Sequence, residues 1–156
     1  MAKDEKMPRN NDGDIIKGLG FVALYAAYLE EQIDALLFML QPLEPFPEAE
    51  QRWPISKKIN KASRLVAPLV FDDQAGLMAD LCGVRDLFES RNEVIHGRIY
   101  ANFDRPDTLK SGRPNVPDRR VDATELYALA NDLFAARYAL HKPMIFQLPQ
   151  ALIAKN

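Results

Sequence analysis

The sequence predicts an all-α fold, a bundle of four to five helices, on three observations. Apolar residues recur at helical spacing through several long segments, cap-type residues stand at their starts, and proline-rich stretches separate them. The chain has 156 residues, 47% of them hydrophobic and 27% charged, which suits one domain with a substantial core and is short for two. Residues 1–156 are therefore expected to form a single domain, with 1–12 as a flexible N-terminal segment.

The first helix is expected from about Asp14 to Leu40, with Asp14 as its N-cap. Ile15, Leu19, Val22, Ala26, Leu29, Ile33, Leu36, Leu37 and Leu40 form one apolar face. A second row, Phe21, Leu24, Tyr25, Tyr28 and Met39, is more than a water-facing side needs. That helix is then either central in the bundle or covered by a second subunit. The following stretch QPLEPFPEAEQRWPI holds four prolines and reads as a stiff surface loop, with Trp53 as a packing lid.

SKKINKASRLVAPL reads as a short basic second helix capped by Ser56. The third, FDDQAGLMADLCGVRDLFESRNEVIHG, is expected to be capped by Asp72 or Asp73, to carry acids in its first turns and to end at Gly97. A short hairpin starting at Arg98 to Phe103 follows. Asp122 with Glu125 makes a capping-box pattern for the last long helix, which Pro143 is expected to close.

Composition narrows the function classes. Cys82 is the single cysteine, so no internal disulfide can form, and no cysteine or histidine spacing suits zinc; neither a metal nor a cofactor is expected. The polar amino terminus lacks a signal-peptide core, and the run GLGFVALYAAYL is shorter than the roughly 20 residues of a membrane span. A cytoplasmic protein without membrane attachment is expected. The net charge of −2 hides an uneven distribution: residues 51–71 hold five basic and no acidic side chains, and residues 98–121 hold six basic and three acidic ones. Lys57, Lys58, Lys61 and Arg64 on the second helix are candidates to track a phosphate backbone, against the commoner alternative of a solvated face.

RNEVIHGRIY, Arg91 to Tyr100, gathers polar groups where a core should close. At about 100° per residue, Leu77, Leu81, Val84, Phe88 and Ile95 share a narrow stripe with Arg91 at its edge. A guanidinium there costs several kcal/mol unless it is paired, so the fold must supply an acid, with Glu30, Glu31 and Asp34 as candidates, or leave a cleft. Arginine is the fixed cation best shaped for phosphate, and histidine exchanges protons near neutral pH. A helix carboxyl end favours the protonated imidazole, suiting His96 to a general acid.

Arg91-Asn92-x-x-x-His96-Gly97 near the end of a helix resembles the R-x(4 to 6)-H motif of the HEPN superfamily, including its frequent polar residue after the arginine. The resemblance implies a HEPN-like helical bundle that forms a homodimer with both motifs lining one cleft. It also implies metal-independent endoribonuclease activity on RNA, in which the ribose 2′-hydroxyl attacks the adjacent phosphate. Arg91 would stabilise the phosphorane, His96 would transfer a proton and Asn92 would orient one of them. Such domains occur as toxins paired with an antitoxin and in phage defence. The alternative is a non-catalytic helical module that uses the same polar cleft to bind a nucleotide, RNA or a partner protein.

Overall fold

The computed structural model describes residues 10–100 and 107–155, with side chains from Asp14 onward. It is a predominantly helical bundle. Four long or medium helices, α1 (Asn10–Met39), α3 (Ile55–Val66), α4 (Gln74–His96) and α5 (Ala123–Phe146), build the core; α2 (Glu48–Gln51) and α6 (Leu148–Lys155) are short. Three short strands, β1 (Arg98–Tyr100), β2 (Thr108–Lys110) and β3 (Arg119–Arg120), lie between α4 and α5.

Helix α1 is the spine. Its first apolar row is buried as expected, apart from the half-buried Leu19, and packs against α3, α4 and α5. The second row is met within the chain by α5. Phe21 and Tyr25 stack at 5.8 Å between ring centroids, Tyr25 meets Phe134 at 5.1 Å, and Phe21 meets Tyr127 at 5.9 Å. The cover is incomplete, since Leu24 and Tyr28 stay about 40% exposed (43% and 39%).

Several element ends differ from expectation. Helix α1 begins at Asn10, so residues 10–12 belong to it and Asp14 lies inside rather than at the cap; the remainder of the expected N-terminal segment is outside the described residues. Acids near an amino end still suit the helix dipole there. Helix α3 starts at Ile55 after Pro54, whose carbonyl accepts from the Lys57 and Lys58 amides, so Ser56 does not cap it. Proline's fixed φ already sets the chain for a helix. Asp73 occupies the N-cap position of α4 without a side-chain cap bond, and the first turn carries no acid.

Asp122 does cap α5, accepting from the Glu125 amide at 2.8 Å. Pro143 does not end that helix. It removes one backbone donor, but Pro143 and Met144 are buried, and the Gln147 amide donates to the Pro143 carbonyl at 3.1 Å. Apolar packing outweighs the missing bond, and α6 follows with Leu148, Ala151 and Leu152 buried.

The expected hairpin starts at Arg98, but its run to Phe103 passes outside the described residues; β1 pairs instead across that gap with β2. The sheet is antiparallel in the order β1-β2-β3, with Arg98 opposite Lys110, Ile99 opposite Leu109, Tyr100 opposite Thr108, and Thr108 opposite Arg120. Leu109 points into the core, and Val121 follows it.

The costliest feature of the core is a pair of buried lysines on α3. Lys58 is 2% exposed, and its ammonium sits 3.1 Å from Glu30 and 2.9 Å from Asp34 on α1. Lys61 is also buried. Its ammonium donates to the Pro45 carbonyl at 2.6 Å, bonds Glu50 on α2, and lies 3.2 Å from Glu44. These contacts pin the proline-rich loop to α3. Burial pushes the Lys58 ammonium down, but the Asp34 and Glu30 carboxylates outweigh it, leaving the group above the ordinary lysine value.

Lys58→Ala should lower the unfolding free energy by about 2–4 kcal/mol in urea titrations, because it empties a buried site and strands Asp34. Lys58→Met should cost less, since it keeps the volume and Glu30 remains partly hydrated. A lysine raised in the folded state stabilises below its unfolded value, about 10.4, and loses that contribution as pH climbs through the folded value. The alkaline loss of stability above about pH 10 should accordingly be shallower in Lys58→Met than in wild type.

Candidate active site

Helix α4 carries the motif to the edge of the core. Leu77, Leu81, Val84, Phe88 and Val94 are buried, so Val94 closes the stripe where Ile95 was expected; Ile95 is half-buried. Arg91 and Asn92 are half-buried, and His96, the last residue of α4, is exposed.

The Arg91 Nη1 donates to the Asn92 Oδ1 at 2.9 Å, while the Arg91 Nε is buried with no hydrogen-bond partner. No acid pairs with this guanidinium among the described residues. The expected structural partners are engaged elsewhere: Glu30 and Asp34 hold Lys58, and Glu31 is exposed without an ion pair to Arg91. Arg91 therefore keeps its positive charge beside a neutral amide.

On an α-helix Asn92 and His96, four apart, lie on one side, whereas Arg91 is about 140° around the axis from His96. The bond to Asn92 turns the guanidinium back towards that side. No hydrogen bond joins His96 to Arg91 or Asn92 among the described residues. The Arg91–Asn92 pair is half-buried and His96 is exposed at the helix end, so a cation, a neutral amide and an imidazole lie within the last two turns of α4.

Gly97 sets where His96 ends. Its φ of −77° is ordinary, so conformational freedom is not the reason for glycine here. A Cβ at Gly97 would stand 2.5 Å from the Leu109 Cδ1 and 2.7 Å from the Glu93 carbonyl oxygen. Glycine lets β2 press against the end of α4.

Of the four basic residues of α3 named as phosphate-tracking candidates, two point inwards and two are not buried. Lys58 and Lys61 are buried and neutralised by carboxylates, and Arg64 pairs with Glu44 at 2.8 Å. Lys57 is exposed and lies 5.8 Å from the Trp53 ring centroid. Their helical spacing is that of a charged helix whose lysines reach inwards to the loop and α1. Trp53 packs there as expected, with the Lys61 ammonium 5.9 Å from its ring.

Two other polar clefts flank the bundle. Arg119 lines one of about 280 Å³ between α4 and α5, paired to Glu125 at 2.6 Å and to Glu93 at 3.4 Å. Arg137 lines another of about 230 Å³ with Gln32, Tyr138 and His141, its guanidinium 5.3 Å from the Tyr28 ring centroid. Among the described residues no group of histidine, cysteine and carboxylate side chains is arranged to hold a metal ion, and no helix is long and apolar enough to cross a membrane.

No protein-family model, curated protein or solved structure matches this chain. The site must be judged on its own chemistry. The sequence places Arg91, Asn92 and His96 at the end of one helix and shows residues 98–121 to be basic, but the pairing that sets Arg98 opposite Lys110 is non-local and has no sequence signal.

Gly97→Ala should force β2 away from α4 and cost about 1–3 kcal/mol, as overpacking at backbone and core atoms does. Hydrogen exchange should rise at β1 and β2 while α1 and α3 keep their protection.

Proposed function

We propose that this protein is a HEPN-type endoribonuclease that cleaves RNA through 2′-hydroxyl attack. The observation that carries the reading is the Arg91 guanidinium: half-buried, bonded to neutral Asn92, with its Nε unpartnered and no ion pair to an acid among the described residues, five residues before the exposed His96 at the end of α4. Such a cation is poised for an oxyanion.

In the proposed reaction the O2′–P bond forms and the P–O5′ bond breaks. Arg91 stabilises charge on the phosphorane oxygens, an interaction that strengthens as the charge develops. His96, at the carboxyl end of α4 where a cation is favoured, gives its proton to the departing 5′ oxygen; the 2′-hydroxyl proton leaves to solvent. Asn92 positions Arg91 through the 2.9 Å bond. The products are a 2′,3′-cyclic phosphate and a 5′-hydroxyl.

The same reading makes the active form a homodimer with two motifs in one cleft, acting in the cytoplasm as a toxin or defence protein. An antitoxin or other protein partner would restrain it. A non-catalytic nucleotide-, RNA- or protein-binding module is the second reading, favoured by the lack, among the described residues, of a hydrogen bond joining His96 to Arg91 or Asn92.

Wild-type protein incubated with labelled mixed RNA in EDTA should release 2′,3′-cyclic phosphate ends. His96→Ala should slow this by about 10²-fold or more, and Arg91→Ala by about 10²–10³-fold. Asn92→Ala should lower kcat less than either. Folded wild type that cuts nothing, or cuts no faster than His96→Ala, would favour the binding module.

A further inference from the structure

The face of the small sheet turned away from the core holds three cations in register. Residues opposite one another in an antiparallel pair point to the same side, so Arg98, Tyr100, Thr108, Lys110 and Arg120 share a face. The other side carries Ile99, Leu109 and Arg119. Burial agrees with this division: Arg98, Lys110 and Arg120 are exposed, Tyr100 is 48% exposed, and Leu109 is buried.

This face is electrostatically unfavourable by itself. Arg98 and Lys110 stand directly opposite, and like charges in that position repel. Among the described residues none of Arg98, Lys110 and Arg120 is in an ion pair, although Arg113 and Arg119 nearby are matched to Glu89, Glu93 and Glu125. Among the described residues, carboxylates thus meet the arginines beside the sheet but form no ion pair with the cations of its outer face. A polyanion would relieve that repulsion.

We propose that the outer face of β1-β2-β3 is the docking surface for single-stranded RNA, with Arg98, Lys110 and Arg120 holding successive phosphates and Tyr100 offering a stacking surface for a base. The assignment rests on the ribonuclease reading for its choice of RNA. It also follows from place: β1 begins two residues after His96, so a strand lying on the sheet leads directly to the end of α4. Flat sheets bearing cations and an aromatic residue suit single strands, whose bases can stack and whose backbone follows the charges.

The test is fluorescence anisotropy with a 5′-labelled oligouridylate, using His96→Ala protein so that cleavage does not consume the probe. For single strands each phosphate contact contributes about 0.7 to the slope of log affinity against log salt. The triple variant R98Q/K110Q/R120Q should lose about 2 in that slope and bind at least about 10-fold more weakly at 0.1 M salt. The charge-matched triple R52Q/K57Q/R64Q, at the end of α2 and on α3, should leave both nearly unchanged. Lys110→Gln alone should lose about 0.7 of slope and, by removing the repulsion with Arg98, should not lower the melting temperature.

Equal weakening by the two triples would overturn the proposal, as would unchanged RNA binding in Lys110→Gln and in the sheet triple. So would preferential binding of a labelled polyglutamate over the RNA, which would assign the face to an acidic protein. The two proposals fail separately. If the sheet triple loses binding while wild type never cuts, docking stands without catalysis; with His96 present, the same triple should raise KM and leave kcat close to wild type.

Discussion

Burial of two ammonium groups on α3 governs how charge is distributed over the rest of the molecule. Lys58 and Lys61 sit in the core only because Glu30, Asp34, Glu44 and Glu50 surround them, and an unpaired ammonium there would be intolerable. The same contacts join α1, the proline-rich loop and α3 into one unit. Acids of α1 that could have neutralised the motif on α4 are spent on that unit.

The consequence is a division of the bundle into a compensated side and an uncompensated one. On α3 almost every cation has its carboxylate. At the end of α4 Arg91 has an amide, His96 is exposed, and the sheet that follows exposes three cations with no ion pair among the described residues. A solvated arginine needs no partner, but a half-buried one with an unpartnered Nε retains an unmet demand for an acceptor. On the proposed reading an RNA phosphate would meet it with negative charge and several oxygens. The proposed chemistry and the proposed docking surface therefore share one electrostatic cause.

Much of the helical architecture was legible because its signals are local. The spacing of Ile15 to Leu40 placed the core face of α1, Asp122 with Glu125 placed the start of α5, and RNEVIHG placed the motif at a helix end. The misreadings share a different origin. Pro143 is a helix breaker by propensity and is overruled by burial of Met144 and Leu148; Val94 replaces Ile95 because the packing of α4 on its neighbours decides the last turn. Lys58 and Lys61 have the spacing of a surface stripe, and only the fold reveals that Glu30 and Asp34, some 24 to 28 residues earlier, face Lys58, while Glu44 and Glu50 meet Lys61. Non-local pairing also conceals the opposition of Arg98 to Lys110.

On the proposed reading the end of α4 and the adjoining sheet face hold the cations left for a polyanion, while Lys58, Lys61 and Arg64 of α3 are paired to carboxylates within the chain. Arginine Nε–Hε resonances in a 1H–15N spectrum report on this directly when the His96→Ala protein is titrated with single-stranded RNA. The signals of Arg91, Arg98 and Arg120 should shift together with a single apparent Kd, and that of Arg64 should stay in place. Movement of Arg64 with Arg91 unmoved, or no change in any of the four at saturating RNA, would contradict the account.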